Sequence, residues 1–435
     1  MPLKPIYINS PAGRQLVDRL CSRFELPDNS CRDAVREIIG QVKKRGDEAL
    51  AEYGRKFDSP RLTAQNLQVS ADELENAYQQ VDKKFLKSLA RAIDRIEVFH
   101  QREMEDSWLQ TRENGTVVGR LVRPVDSAGL YVPGGQGGST PLVSSVLMNG
   151  IPVAIAGVAQ RVMVTPPNKQ GLVNPHLLVA AQEIGITHIY KAGSAWGIAA
   201  LAHGTSTIPK VDVIAGPGNR FVAEAKRQVS QLVKIDMIAG PSEVLIVADH
   251  TASAAYAAAD MLAQAEHDPQ ALAVVITTEP GLAADIAAEL DRQLPSLSRQ
   301  EIAAKAIADR GLILLADTIR EALDIANRLA IEHLELMIDD PWSVLPLVKH
   351  AGAIFLGKYT PEAAGDYLAG PNHVLPTMGT ARFASALGVE TFLKKSSIIS
   401  YSQKALEDDA EDIIRLAELE ALTAHAGSVR QRIKR

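Results

Sequence analysis

From about Val117 to Leu356 the chain alternates segments of helical periodicity with short apolar runs of strand character, and most runs end in glycine or proline. Strands are expected over Val117–Val122 and Ala128–Val132, then over Arg161–Thr165, His188–Lys191, Val211–Ala215 and Glu243–Ala248. Helices near Pro141–Ala156, Pro175–Ile184, Ala195–His203 and Asn219–Leu232 separate the later ones. A second block repeats the grammar. Its strands are Ala271–Thr278, Leu312–Ala316, Leu334–Ile338 and Ala353–Leu356, and its helices fall near Ala252–Glu266, Gly281–Gln293, Ser298–Ile307, Thr318–Leu329 and Trp342–His350. Apolar strands joined by helical crossovers imply parallel sheets covered on both faces, so the fold class is α/β, with two tandem Rossmann-like units.

The flanks read differently. Helical spacing over Asp33–Phe57 and Ala71–His100 makes the N-terminal region a helical lead-in, and Ala405–Arg435 reads as a charged helical tail. The tail's Ile413, Ile414, Leu416, Leu419 and Leu422 require a partner surface. The expected division is a helical region over 1–117, a first α/β unit with a nucleotide site over 118–250, a second unit carrying the chemistry over 251–379, and the tail over 380–435.

Composition narrows the function. With 46 Lys+Arg against 52 Asp+Glu the net charge is −6, and no basic run offers nucleic acid or an anionic membrane a footprint. No apolar stretch is long enough to span a bilayer, and the opening MPLKPIYINS lacks the apolar core of a signal peptide. The two cysteines, Cys21 and Cys31, are too few for a disulfide framework, so a reducing, cytoplasmic setting is expected. An aldehyde dehydrogenase with a cysteine nucleophile is excluded, because no thiol lies beyond Cys31.

Four Gly/Pro segments fall at predicted strand ends: YVPGGQGGS (131–139), KAGSAWG (191–197), AGPGNRF (215–221) and AGPSE (239–243). Ligands of parallel sheets lie outside the carboxyl ends of strands, where glycine lets backbone amides approach a phosphate. None completes the G-x-G-x-x-G pattern, since Phe221 stands where the third glycine would be, so tight turns remain an open alternative.

Among the polar residues, Gln264 and His267 share one face at a predicted helix end, the spacing of a metal grip or of a merely solvated face. Glu332-His333 stands where a helix hands over to a strand, able to project into a cleft together or to cap the helix. Asp366 and Asn372-His373 lie in a segment bracketed by glycine and proline, and Glu420 and His425 lie on the tail helix. Two histidines, an aspartate and a neutral amide would make a workable zinc site with room for substrate.

Taken in order, GLYVPGG, VSSVLMN, GPGNRFVAEAKRQVS, IDMIAGPSEVLI, QAEHD, EHLEL, AGDYLAGPNHVLPT and LTAH resemble the histidinol dehydrogenase family over essentially the whole chain. The resemblance implies a zinc-dependent, NAD-linked oxidation of L-histidinol to L-histidine through bound histidinal, the last step of histidine biosynthesis. It implies zinc on Gln264, His267, Asp366 and His425, catalysis by Glu332 and His333, and substrate contacts at Ser242, His373 and Glu420 beside His333 and the zinc ligands. Cofactor contacts fall on Tyr131 and Asn219 and on Trp196, which stands where many members carry glutamine, so that ring stacking would replace that residue's hydrogen bond. It further implies a domain-swapped homodimer, the tail lending Glu420 and His425 to the neighbouring site. Two other departures are Ile331, where proline commonly precedes the Glu-His pair, and a loop after Pro133 that is longer than in some members. The rival readings are a paralogue oxidising another small polar alcohol, such as a sulfopropanediol dehydrogenase, and a non-catalytic, metal-stabilised nucleotide-binding or regulatory protein.

Overall fold

The computed structural model describes residues 3–23, 30–134 and 140–433; the glycine-rich stretch 135–139, and with it the lengthened loop, lies outside them. Fourteen strands are present among the described residues: β1 (Ile6–Tyr7), β2 (Trp108–Thr111), β3 (Val117–Pro124), β4 (Ser127–Tyr131), β5 (Gln160–Thr165), β6 (His188–Lys191), β7 (Val213–Ala215), β8 (Lys234–Ile235), β9 (Glu243–Ala248), β10 (Leu272–Thr277), β11 (Gly311–Leu315), β12 (Ile331–Met337), β13 (Ala351–Leu356) and β14 (Leu393–Ser400). Two parallel sheets carry the fold, one ordered β6-β5-β4-β7-β8 and the other β1-β11-β10-β9-β12-β13. A third, antiparallel sheet is ordered β14-β3-β2.

Both parallel sheets are buried on both faces, and side-chain parity shows how. In β9, Val244 and Ile246 join the cluster formed with helices Ala254–Ala265 and Pro280–Gln293, while Leu245 and Val247 face the opposite cluster with Leu323, Ala326 and Leu329. In β5, Met163 points to one side and Val162 and Val164 to the other. A strand with helices on each side needs apolar residues at every position, which is why these runs do not alternate in polarity.

The observed architecture corrects the expected division in three places. β1 pairs in parallel with β11 and helix Pro11–Cys21 packs beside it, so the first twenty residues complete the second unit instead of leading into the first. Glu243–Ala248, assigned above to the first unit, is central in the second sheet, flanked by β10 and β12. β3 belongs to neither parallel sheet; it pairs with β2 and with β14, whose run LKKSSIIS had not been read as a strand. The tail itself is a hairpin of helices Gln403–Leu419 and Thr423–Ile433. No helix among the described residues is long and apolar enough to cross a membrane.

Candidate active site

The polar residues singled out in the second unit gather at the amino-terminal edge of its sheet, not at the carboxyl edge where ligands of such sheets normally lie. The connection Asp236–Ser242 runs from the carboxyl end of β8 to the amino end of β9, bringing the nucleotide-type edge of one sheet toward the chemistry-bearing edge of the other. Helix Ala254–Ala265 returns from the far end of β9, so its last turn carries Gln264 down to the starts of β10 and β12.

Glu332 and His333 open β12. Thr318 caps helix Ile319–Leu329 by accepting from Glu321 N, and Ala330, left-handed at φ 46°, ends it and turns the chain straight into the strand. The pair therefore belongs to a strand, and the helix-capping alternative fails. Ile331 is fully buried and pairs with Ala351, a backbone role that an apolar β-branched residue suits. Glu332 Oε2 accepts from the Glu243 backbone N–H at 2.7 Å, and His333 Nδ1 lies 3.1 Å from the Glu243 carbonyl. A carbonyl can only accept, so Nδ1 carries the hydrogen and Nε2 keeps a bare lone pair. That Nε2 is buried without a partner, as a base awaiting a proton would be.

His333 and Glu335 share the face covered by helix Ala254–Ala265, where the Gln264 amide lies 3.0 and 3.3 Å from the Glu362 carboxylate oxygens and 3.2 Å from His333 Nδ1. His267, Glu362 and Asp366 bring one ligand atom each to within 4.8 Å of one another. Glu362 had not been singled out, although its spacing of four from Asp366 puts both carboxylates on one side of helix Glu362–Tyr367. Asn372 donates to the Met148 carbonyl at 2.7 Å and clamps the loop that carries His373. Ser242, half-buried, directly precedes Glu243.

Charge explains why this cluster wants a cation. Burial first, then the charges of Glu243 and Asp366, push Glu332 well above the usual carboxylate range, with the Glu243 N–H opposing. Burial and the carboxylates of Asp366, Glu332 and Asp260 push Glu362 up likewise. Burial drives His333 down to about 3 and His373 to about 4. Carboxylates that resist ionising and imidazoles that resist protonation both relax around a divalent ion, and mixed N/O donors suit zinc. The donor set thus fits the expected metal through His267 and Asp366, with Glu362 beside them and Gln264 against Glu362. His425 is not in this group: Glu420 and His425 are exposed near the turn between the two tail helices of their own chain.

At the carboxyl edge of the first sheet, Gly216 has φ 120°, and a Cβ there would lie 2.1 Å from the Tyr131 carbonyl, so glycine is obligatory. Asn219 caps helix Arg220–Val229 by accepting from Phe221 and Val222 N, leaving an exposed helix N-terminus. Tyr131 is buried, and its hydroxyl accepts from Ser194 N at 3.1 Å. Trp196 packs its ring flat on Tyr53 and Phe57, at centroid distances of 5.8 and 5.5 Å; it is 5% exposed, and its indole Nε1 is buried without a partner.

Nearby, burial raises Asp58 to about 7 despite Lys169, and its Oδ2 has no partner. Because the folded value exceeds the ordinary 3.8, this group's contribution is fully present below pH 4 and is lost as pH rises through 7. Asp58→Asn is therefore expected to stabilise the fold at pH 8 by roughly 2–4 kcal/mol and to leave it unchanged near pH 4. Denaturant titrations at both pH values check this; equal shifts at the two would contradict it.

A family model described as histidinol dehydrogenase matches residues 21–433. The chain belongs to the histidinol dehydrogenase family. It is 68% identical over its full length to a curated histidinol dehydrogenase of Desulfotalea psychrophila, with all of both chains covered. It is 51% identical to that of Oleidesulfovibrio alaskensis, again covering all of both chains. A crystal structure of histidinol dehydrogenase from Elizabethkingia anophelis superposes with a TM-score of 0.92 at 35% identity, covering 99% of this chain and 98% of that one. Histidinol dehydrogenase family membership makes the chain an oxidoreductase and accounts for the tandem α/β architecture.

Proposed function

We propose that this enzyme oxidises L-histidinol to L-histidine through bound L-histidinal, with zinc holding the substrate and two NAD reduced per turnover. The observation that carries the reading is the Glu332–His333 pair, oriented by one residue's backbone at the edge of a carboxylate-rich cluster fit for a cation. When bound, zinc would fix the substrate's amine and imidazole, and NAD would accept the two hydrides.

His333 Nε2 takes the hydroxyl proton as hydride leaves carbon. Its depressed basicity would be offset once a bound cation lets Glu332 and Glu362, 3.7 and 3.8 Å from Nδ1, ionise and stabilise the imidazolium as it forms. The aldehyde must then add water, for only its hydrate carries both a hydroxyl and a hydride. Glu332 is the base for that water, and burial makes it a stronger one. His333, once it has passed its first proton to solvent, takes the next from the hydrate hydroxyl as the second hydride leaves. His373, whose Nε2 is also buried and unpartnered, and Ser242 would contact the substrate. Tyr131 and Asn219 would frame the nucleotide. The carboxylates of Glu332, Glu362 and Asp366 suit a cationic amino alcohol and disfavour a sulfonated diol.

We assign Glu420 and His425 to the site of a second copy. Leu416 and Leu419 on the tail, 63% and 78% exposed, and Ile399 on β14, 71% exposed, are apolar side chains that a homodimer would cover. Mixing His425→Asn and His333→Asn subunits, each inactive alone, is expected to restore roughly a quarter to a half of the native activity per heterodimer. No recovery after verified subunit exchange would return the tail to its own chain. Cys21 and Cys31, the two cysteines of the sequence, are too few for a disulfide framework, which accords with a cytoplasmic location.

A further inference from the structure

Glu243 holds both members of the catalytic pair through its own backbone. In the sheet it pairs with Leu272 of β10, while the ladder between β9 and β12 begins at Val244 and His333, one residue beyond. Its side chain, 1% exposed, is gripped in a fork by Arg23: Nε at 2.5 Å from Oε1 and Nη2 at 2.7 Å from Oε2. Oε2 also accepts from Met378 N at 3.1 Å, in the loop that carries His373. The remaining arm, Nη1, donates to the carbonyls of Leu20 and Leu329 at 3.0 Å each. Leu20 ends the N-terminal helix, and Leu329 ends the helix that turns into Glu332. Arg23, 7% exposed, thus joins the three segments that frame the pair.

We propose that Arg23 is a positioning residue: its bidentate grip sets Glu243, whose N–H and carbonyl aim Glu332 and the His333 lone pair. This rests on the reading that Glu332 and His333 carry the chemistry. A planar fork is needed because only two parallel bonds fix the carboxylate's rotation as well as its place. Misplacing reacting groups by about 1 Å costs on the order of 10²-fold in rate.

The test uses zinc-loaded, full-length protein and reads kcat, KM for histidinol, bound zinc and melting temperature in Arg23→Met, Arg23→Lys and the double variant Arg23→Met/Glu243→Gln. Arg23→Met is expected to lose about 100-fold in kcat with KM and zinc within twofold of native, and Arg23→Lys to recover part of that loss. The double variant no longer buries an unpaired carboxylate, so its melting temperature should return while kcat stays low. A folded Arg23→Met protein with kcat within threefold of native, or a double variant that regains kcat together with its melting temperature, overturns the inference. If Arg23→Met does not fold, Arg23→Lys decides: a kcat about tenfold lower at unchanged KM supports the positioning role, and a native kcat overturns it. Wild-type protein inert toward histidinol would instead overturn the functional reading, so the two failures are distinguishable.

Discussion

Glu332→Gln is expected to lower histidinol oxidation by about a thousandfold while reducing histidinal to histidinol at a rate within about tenfold of native. The amide is isosteric, and its oxygen can still accept from Glu243 N, so the strand edge and the His333 tautomer persist. What it loses is basicity. Reduction of the aldehyde requires no water attack and falls to His333 alone, whereas the second oxidation cannot begin until a water proton is removed. Following NADH formation from histidinol and NADH consumption with histidinal separates the two; equal losses in both directions would remove Glu332 from the water step. His333→Asn should impair both directions, because each hydride transfer needs its partner proton moved.

The second large effect concerns the metal. His267→Asn is expected to purify with less than about a tenth of the native zinc and to show background activity, since one imidazole supplies the cluster's only nitrogen donor among His267, Glu362 and Asp366. Without a dication, burial and then the charges of Glu243 and Asp366 hold Glu332 well above the usual carboxylate range, and burial with Asp366, Glu332 and Asp260 does the same to Glu362. Metal content by atomic absorption checks the first claim, and one full zinc per chain in His267→Asn would exclude that histidine as a ligand. Glu362→Gln is the informative companion: loss of zinc there would add this carboxylate to the ligands expected from the sequence.

Local structure was legible where burial on both faces writes itself as composition. Glu243–Ala248 matches to the residue because its run Val244–Val247 between turn signals leaves little else to form, and His188–Lys191 matches too, its Ile189 and Tyr190 bounded by the Ala192-Gly193 turn. Ile6–Tyr7 was illegible, being two residues long and meaningful only beside Leu314 and Leu315. Leu393–Ser400 carries adjacent lysines and serines on an exposed sheet, so neither alternation nor an apolar run marks it. In the site, Glu332, His333, His267 and Asp366 stood out by type and setting. Glu362 was hidden in an ordinary helix start, and Glu243 in a strand, where only three-dimensional neighbours reveal a buried carboxylate. The roles of Arg23 and Glu243 depend on a contact spanning 220 positions, which no local pattern encodes.

The placement of β1 beside β11 sets an order of events during synthesis. The nascent chain emits Ile6 and Tyr7 first, yet their partners leave the ribosome some three hundred residues later. The first parallel sheet, contiguous in sequence from β4 to β8, can form while the amino terminus still waits outside it. Only when β11 arrives does that terminus dock and deliver Arg23 to the waiting Glu243. Docking of the amino-terminal strand is therefore a late step, and a bulky fusion placed there should delay the appearance of activity more than it lowers the yield of compact protein.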